Sequence, residues 1–226
     1  MAQIKKNDFV EVTYTGTIKE GGIIFDTTDG ALAKEQGIHN ENMEYGPVVV
    51  CVGKEQVIKG LDKSLEGKEP NQEYEVQISP EDAFGKKDAK KIQLIPTNKF
   101  LKENIQPVPG LQVSVDNAFG TIKTVSGGRT LVDFNHPLAG KDIVYKVKIN
   151  KLVDDQNEQI KALVKMKLNM SDIKAEVKEN SAVITAPIEF PKEVQSELKK
   201  EIKEVVKVKD IKFTTKKEPK ESKGQQ

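Results

Sequence analysis

Residues 52–67, VGKEQVIKGLDKSLEG, decide how the rest of the chain is read. A short apolar run over residues 48–52 leads into Gly53 and a polar turn. Val57, Leu61 and Leu65 then recur at i, i+4 and i+8, with Ile58 beside the first. That spacing predicts a short helix over residues 59–66 with one apolar face. Gly67 stands where such a helix stops. Two readings fit. The helix packs on a sheet and its apolar face is core, or Val57 and Ile58 at its entrance floor an apolar pocket.

The remainder of the chain bears on that choice. Its 226 residues allow one large domain or several small ones. The 36 basic and 35 acidic residues leave a net charge of +1, which gives no reason to expect nucleic acid as a partner. Lys and Glu dominate a charged fraction of 31 %, the pattern of heat-adapted proteins. Cys51 is the single cysteine and sits inside VVVCV, so it reads as a buried core thiol. Neither a signal peptide nor a membrane-length apolar run is read, and the expectation is a soluble cytoplasmic protein without membrane partners.

Residues 8–18, DFVEVTYTGTI, alternate apolar and polar and predict a strand. Gly21-Gly22 turns the chain, and Ile23 to Phe25 restart a strand, giving a hairpin. Residues 29–46 read as a long polar excursion. QEYEVQI at 72–78 alternates again, and SPEDAFG closes it with Pro80 and Gly85. From Lys86 the composition shifts to a Pro-rich stretch followed by the strand-like runs LQVSV, GTIKTV and RTLVDFN, a small β-rich unit over 86–136. NHPLAGKDIVYKVKINKLV then ends in an alternating strand. Beyond residue 153 come a helix with Ile160, Leu163, Val164 and Leu168 on one face and two strands around Glu179-Asn180. A helix led by Pro191 and a last strand, VKDIKFTT, follow. Residues 216–226 read as a disordered tail.

Five stretches occur in a telling order: VTYTGTI, GIIFDTT, GKEQVIKGLDKSLEG, SPEDAFG and NHPLAGKDIVYKVKI. Together they resemble the FKBP-type peptidyl-prolyl cis-trans isomerase family over residues 1–152. The stretch entered after DAFG and left before NHPLAG resembles the insert-in-flap of SlyD-like members. The added C-terminal segment is similar to that of long-type archaeal members. The resemblance implies an α+β fold with an FKBP-type antiparallel curved sheet around a short helix, formed by residues 1–85 and 137–152. An insert-in-flap chaperone domain over 86–136 and a C-terminal α+β domain over 153–226 complete it.

It also implies an activity. Rotating an X-Pro bond works against amide resonance, a barrier of roughly 18–20 kcal/mol. No nucleophile, metal or cofactor is required. An apolar pocket favours the twisted amide over the planar one, and each ~1.4 kcal/mol of that preference is tenfold in rate. By matching motifs, Tyr14 resembles the family's pocket tyrosine, Phe25 its wall phenylalanine and Asp26 its carboxylate. Val57 and Ile58 resemble the pair that offers backbone groups to the peptide. Phe84 falls where many members have Tyr, and Tyr145 where they have a floor phenylalanine. Val48 stands in place of an aromatic, Leu61 in place of the basal Trp, and Leu138 lies in the returning flap.

His39 and His136 are too few and too distant in sequence for a metal site, and residues 216–226 carry neither His nor Cys. The expected partners are unfolded or proline-containing polypeptides. Phe100 and Phe119 are the candidates in the insert for holding them. The apolar faces of the C-terminal segment need a covering layer, which a homodimer would supply. The alternative to an active isomerase is a holdase-type chaperone or dimeric scaffold on an inert isomerase fold.

Overall fold

A computed structural model describes residues 3–215, so the 216–226 tail read as disordered lies outside the described residues. The chain divides into two compact units. One holds the described parts of Met1–Thr17, Ile23–Val76 and Val144–Gln226. The other holds Ile18–Gly22 and Gln77–Ile143.

The first unit is built on β1 (Phe9–Ile18), β2 (Ile24–Thr27), α1 (Gly30–Glu35), β3 (Val48–Cys51), α2 (Lys59–Leu65) and β4 (Gln72–Ile78). β1 pairs antiparallel with β2 through Thr15↔Thr27 and Gly16↔Asp26. Further along it pairs with β3 through Phe9↔Cys51, Val10↔Val50 and Val12↔Val48. β2 covers Ile24–Thr27 rather than Ile23–Phe25, because Thr27 is lashed to β1 by its hydroxyl on Thr15. The 29–46 excursion contains a helix, α1, nucleated by Asp29, whose carboxylate accepts from the N–H groups of Ala31 and Leu32. In α2, Leu61 and Leu65 are buried, as the periodicity requires.

The second unit contains β5 (Ile92–Pro96), α3 (Thr97–Lys102), β6 (Gln112–Val115), β7 (Ala118–Ser126) and β8 (Arg129–Asp133), in the strand order β5-β8-β7-β6. Its core is Ile95, Phe100, Val113, Val115, Ile122 and Val132. Sequence periodicity missed β5 and α3, since a five-residue strand ending in proline and a six-residue helix are too short to show a period.

The chain returns along β9 (Ile143–Leu152), which lies between β1 and β4 in the strand order β2-β1-β9-β4. It continues through α4 (Gln156–Leu168), β10 (Lys174–Lys178), β11 (Ser181–Ala186), α5 (Lys192–Val205) and β12 (Asp210–Thr215). β10 and β11 form a hairpin whose turn puts Glu179 at φ +54°. β12 lies parallel to β11, joined to it by α5.

The covering layer that the C-terminal segment needs is found within the chain. Ile160, Leu163 and Val164 of α4 share one buried cluster with Leu198 and Ile202 of α5 and with Phe9 and Cys51 of the first sheet. Val153 N–H donates to the Phe9 carbonyl at 2.8 Å and ties the two layers at their seam. Cys51 is fully buried, and burial pushes its thiol pKa up to about 12, so it is an inert core residue. Because β3 is covered on this face while Val50 is buried on the other, VVVCV reads as a continuous apolar run rather than an alternating one.

Candidate active site

β1, β2 and β9 bring four of the expected side chains together. Tyr145, on β9, is 1 % exposed. Its ring meets Tyr14 edge-on at 5.5 Å between centroids and Phe25 at 5.9 Å, perpendicular. Such T-shaped pairs each add about 0.5–1.5 kcal/mol beyond their area burial. The Tyr145 hydroxyl donates to Asp26 Oδ2 at 2.8 Å. The β1–β2 hairpin and the distant β9 are thereby locked into one cluster of three rings and a carboxylate.

Gly16 makes this cluster possible. A Cβ built at that position would lie 2.8 Å from Tyr145 Cζ and 2.9 Å from Phe25 Cζ. The two rings therefore lie over the backbone of β1 where no side chain intervenes. A glycine interrupting a strand pattern, as Gly16 does in VTYTGTI, is the sequence signal of such a close approach.

The hairpin is fixed by the two threonines after Asp26. Tyr14 N–H donates to Thr28 Oγ1 at 3.0 Å, and Thr28 N–H donates to the Tyr14 carbonyl at 3.0 Å. Both threonines are buried with their hydroxyls satisfied, so the Asp26-Thr27-Thr28 run fastens the strand that presents Phe25 and Asp26.

Electrostatics follow from burial. Burial raises the Asp26 carboxyl above the usual aspartate range, against the lowering effects of the Tyr145 hydroxyl and the Thr27 backbone N–H. Burial, then the Asp26 charge, pushes Tyr14 up to about 12 and also raises Tyr145. Both phenols are neutral at physiological pH, and Tyr145 acts as donor to Asp26.

The other expected residues fall as follows. Val48 is half-buried and shares the face of Val12 in the β1–β3 register. Val57 and Ile58 are half-buried at the entrance of α2, where the Ile58 carbonyl accepts from Asp62 N–H at 2.9 Å. Leu61 is fully buried. Phe84 and Leu138 belong to the second unit. There the Phe84 ring stacks on His136 at 4.6 Å and 3°, and Leu138 N–H donates to His136 Nδ1.

Phe100 is a correction. It is 2 % exposed at the centre of the insert's core, because a unit this small needs a large side chain there. It is not presented to a passing chain. Phe119, by contrast, is 81 % exposed.

With this geometry in place, comparison with known proteins identifies the class. Residues 1–106 match the FKBP-type peptidyl-prolyl cis-trans isomerase family, and residues 93–138 match a family described as FKBP26, IF domain. A short-type peptidyl-prolyl cis-trans isomerase of Methanocaldococcus jannaschii is 32 % identical over 155 residues, 69 % of this chain and 98 % of the relative. The FKBP-type isomerase SlyD of Helicobacter pylori is 31 % identical over 137 residues, covering 57 % of this chain and 73 % of the relative. SlyD of Vibrio cholerae is 28 % identical over 151 residues, 65 % and 67 % respectively. The chain belongs to the FKBP-type peptidyl-prolyl cis-trans isomerase family and is an isomerase of X-Pro peptide bonds. No described helix is long and apolar enough to cross a membrane.

Proposed function

We propose that the cluster of Tyr14, Phe25, Asp26 and Tyr145 is where the prolyl ring is held while its preceding amide rotates, with the half-buried Val48 as apolar lining and the fully buried Leu61 as core packing rather than contact surface. The observation that carries this reading is the Tyr145 ring, set between Tyr14 and Phe25 with its hydroxyl on Asp26. Twisting the amide breaks its resonance and reduces its charge separation. Apolar rings therefore cost the twisted form less than they cost the planar one. Asp26, held by Tyr145, faces the carbonyl carbon or pairs with nearby donors. Val57 and Ile58 hold the peptide backbone in a turn, removing the freedom that otherwise opposes rotation. A protease-coupled assay on an X-Pro tetrapeptide tests this. Phe25→Ala and Asp26→Leu each lower kcat/KM by tenfold or more on this scale of interaction. Unchanged turnover in both would remove the cluster from the mechanism.

The insert serves as the chaperone element in this reading. Phe119 and Leu94 are 81 % and 60 % exposed, and the β5-β8-β7-β6 register sets both on the sheet face opposite Ile95 and Val132. Large apolar side chains left in water on one face are what an unfolded segment would bind. Replacing Leu94 and Phe119 with Ser leaves tetrapeptide turnover unchanged and slows catalysed refolding of a proline-limited protein. Equal refolding rates would sink the chaperone assignment.

A further inference from the structure

We propose that Asp62 is the positioning residue of the isomerase site, holding the loop that delivers Val57 and Ile58. This rests on the reading that those two residues meet the peptide backbone. Asp62 lies in the first turn of α2 and is 3 % exposed. Its Oδ1 accepts from Gly53 N–H at 2.9 Å and its Oδ2 from Glu55 N–H at 2.8 Å. Its own N–H donates to the Ile58 carbonyl at 2.9 Å. The buried carboxylate thus grips the start of the 53–58 loop, and the first turn of α2, closed by the ordinary helix bond from Asp62 N–H, holds its end.

The loop needs such a grip. Gly53 sits at φ +84°, which glycine adopts freely, but Glu55 sits at φ +52°, a left-handed conformation that a residue with a side chain holds only where its surroundings enforce it. Ile58, the residue that leads into α2, has no side-chain cap to fix it. Charge-assisted bonds to a carboxylate are roughly twice as strong as neutral ones, and both oxygens are engaged here. Gln56 adds a lighter tie, its Oε1 accepting from Cys51 N–H at 2.7 Å. Asp62 is buried and both its carboxylate oxygens are taken by the loop's own N–H groups, so it does not meet the substrate itself. It acts through Val57 and Ile58.

The test uses the full chain. Asp62→Asn keeps one acceptor oxygen and turns a donor toward the other N–H, so the loop loses one anchor and gains a repulsion. Asp62→Glu keeps the charge. The readouts are KM and kcat on an X-Pro tetrapeptide, together with amide hydrogen exchange at Gly53, Glu55 and Ile58. For Asp62→Asn, exchange at these amides speeds and KM rises several-fold to tenfold with kcat little changed, the signature of lost ground-state and transition-state anchoring alike. Asp62→Glu recovers at least part of the lost KM. A residue that only stabilised the fold would lower the folded fraction, which scales kcat and leaves KM unchanged. Faster loop exchange with an unaltered KM overturns the proposal. If Asp62→Asn does not fold, the Asp62→Glu and Gln56→Ala exchange and KM values decide on the same criterion. Failure of the site reading is told apart, because in that case Phe25→Ala also leaves turnover intact.

Discussion

Replacing Tyr145 with Phe isolates one bond. The ring is almost wholly buried and stays in place between Tyr14 and Phe25, so no cavity opens. What is lost is a 2.8 Å hydrogen bond to Asp26. A hydrogen bond to a charged group contributes about 1.5–3 kcal/mol, and because Asp26 is half-buried the lower end, ~1.5–2 kcal/mol, applies. For a chain of this size that is a fall of about 3–8 °C in Tm near neutral pH. The loss depends on pH in a defined direction. Asp26 already has its folded pKa raised by burial, and the Tyr145 hydroxyl is the larger of the two groups that oppose the rise. Removing it raises the folded pKa further. A carboxyl whose folded pKa exceeds its unfolded one binds more protons when folded, so stability is regained as pH falls through the folded pKa toward about 3.9. The Tm deficit of Tyr145→Phe is therefore largest at pH 7.5 and shrinks toward pH 4.5, where a neutral hydrogen bond of roughly 0.5–1.5 kcal/mol is all that is missing. Melting both proteins by calorimetry across that range is the assay. A deficit that is absent, or equal at the two ends, refutes the assignment of an ionised Asp26 accepting from Tyr145.

Gly16→Ala places a methyl 2.8–2.9 Å from the Tyr145 and Phe25 rings, so it costs about 1–3 kcal/mol and lowers kcat/KM, measurable in one denaturation series and one peptide assay. Phe9→Ala empties the seam between the first sheet and the C-terminal layer, a loss of about 3–5 kcal/mol seen as a lower denaturation midpoint. Glu204→Ala breaks the 2.5 Å pair with Lys54, but Glu204 is largely exposed and solvent screens the pair, so the denaturation midpoint stays essentially where it is.

The helix over α2, the alternation of β1, β4 and β9 and the stripes of α4 and α5 were legible because burial on one face imposes a period. Phe25, Asp26 and Tyr145 were legible only as motifs. Nothing in their spacing says that a tyrosine 119 residues away would donate to Asp26. Asp62 left no trace either, since its partners are backbone N–H groups seven and nine residues back, and any residue supplies those. Phe100 and Phe119 looked equivalent in sequence. Which was core depended on sheet register, Phe119 opposing Ser114 on the outer face while Phe100 filled the interior from α3. The partner of the C-terminal segment was hidden for a similar reason: an apolar stripe states that it will be covered, not by what.

β1 shows how register places the ring and carboxylate cluster before residue chemistry acts. Val10, Val12 and Tyr14 fall on one face, while Phe9 and Glu11 fall on the other, with Phe9 fixed in the C-terminal cluster. A slip of one residue against β3 would exchange the two sets and expose the core on both sides at once. Covering both faces thus fixes the register that places Tyr14. The regular pairing with β2 then breaks between Gly16 and Thr17, immediately beyond the position where Gly16 opposes Asp26. That is also the point at which two rings require a backbone without a side chain. Gly16, which offers no functional group, therefore constrains the geometry of the rings and the carboxylate through the space it leaves over β1. A methyl group there should impair turnover on the scale of losing Asp26 itself.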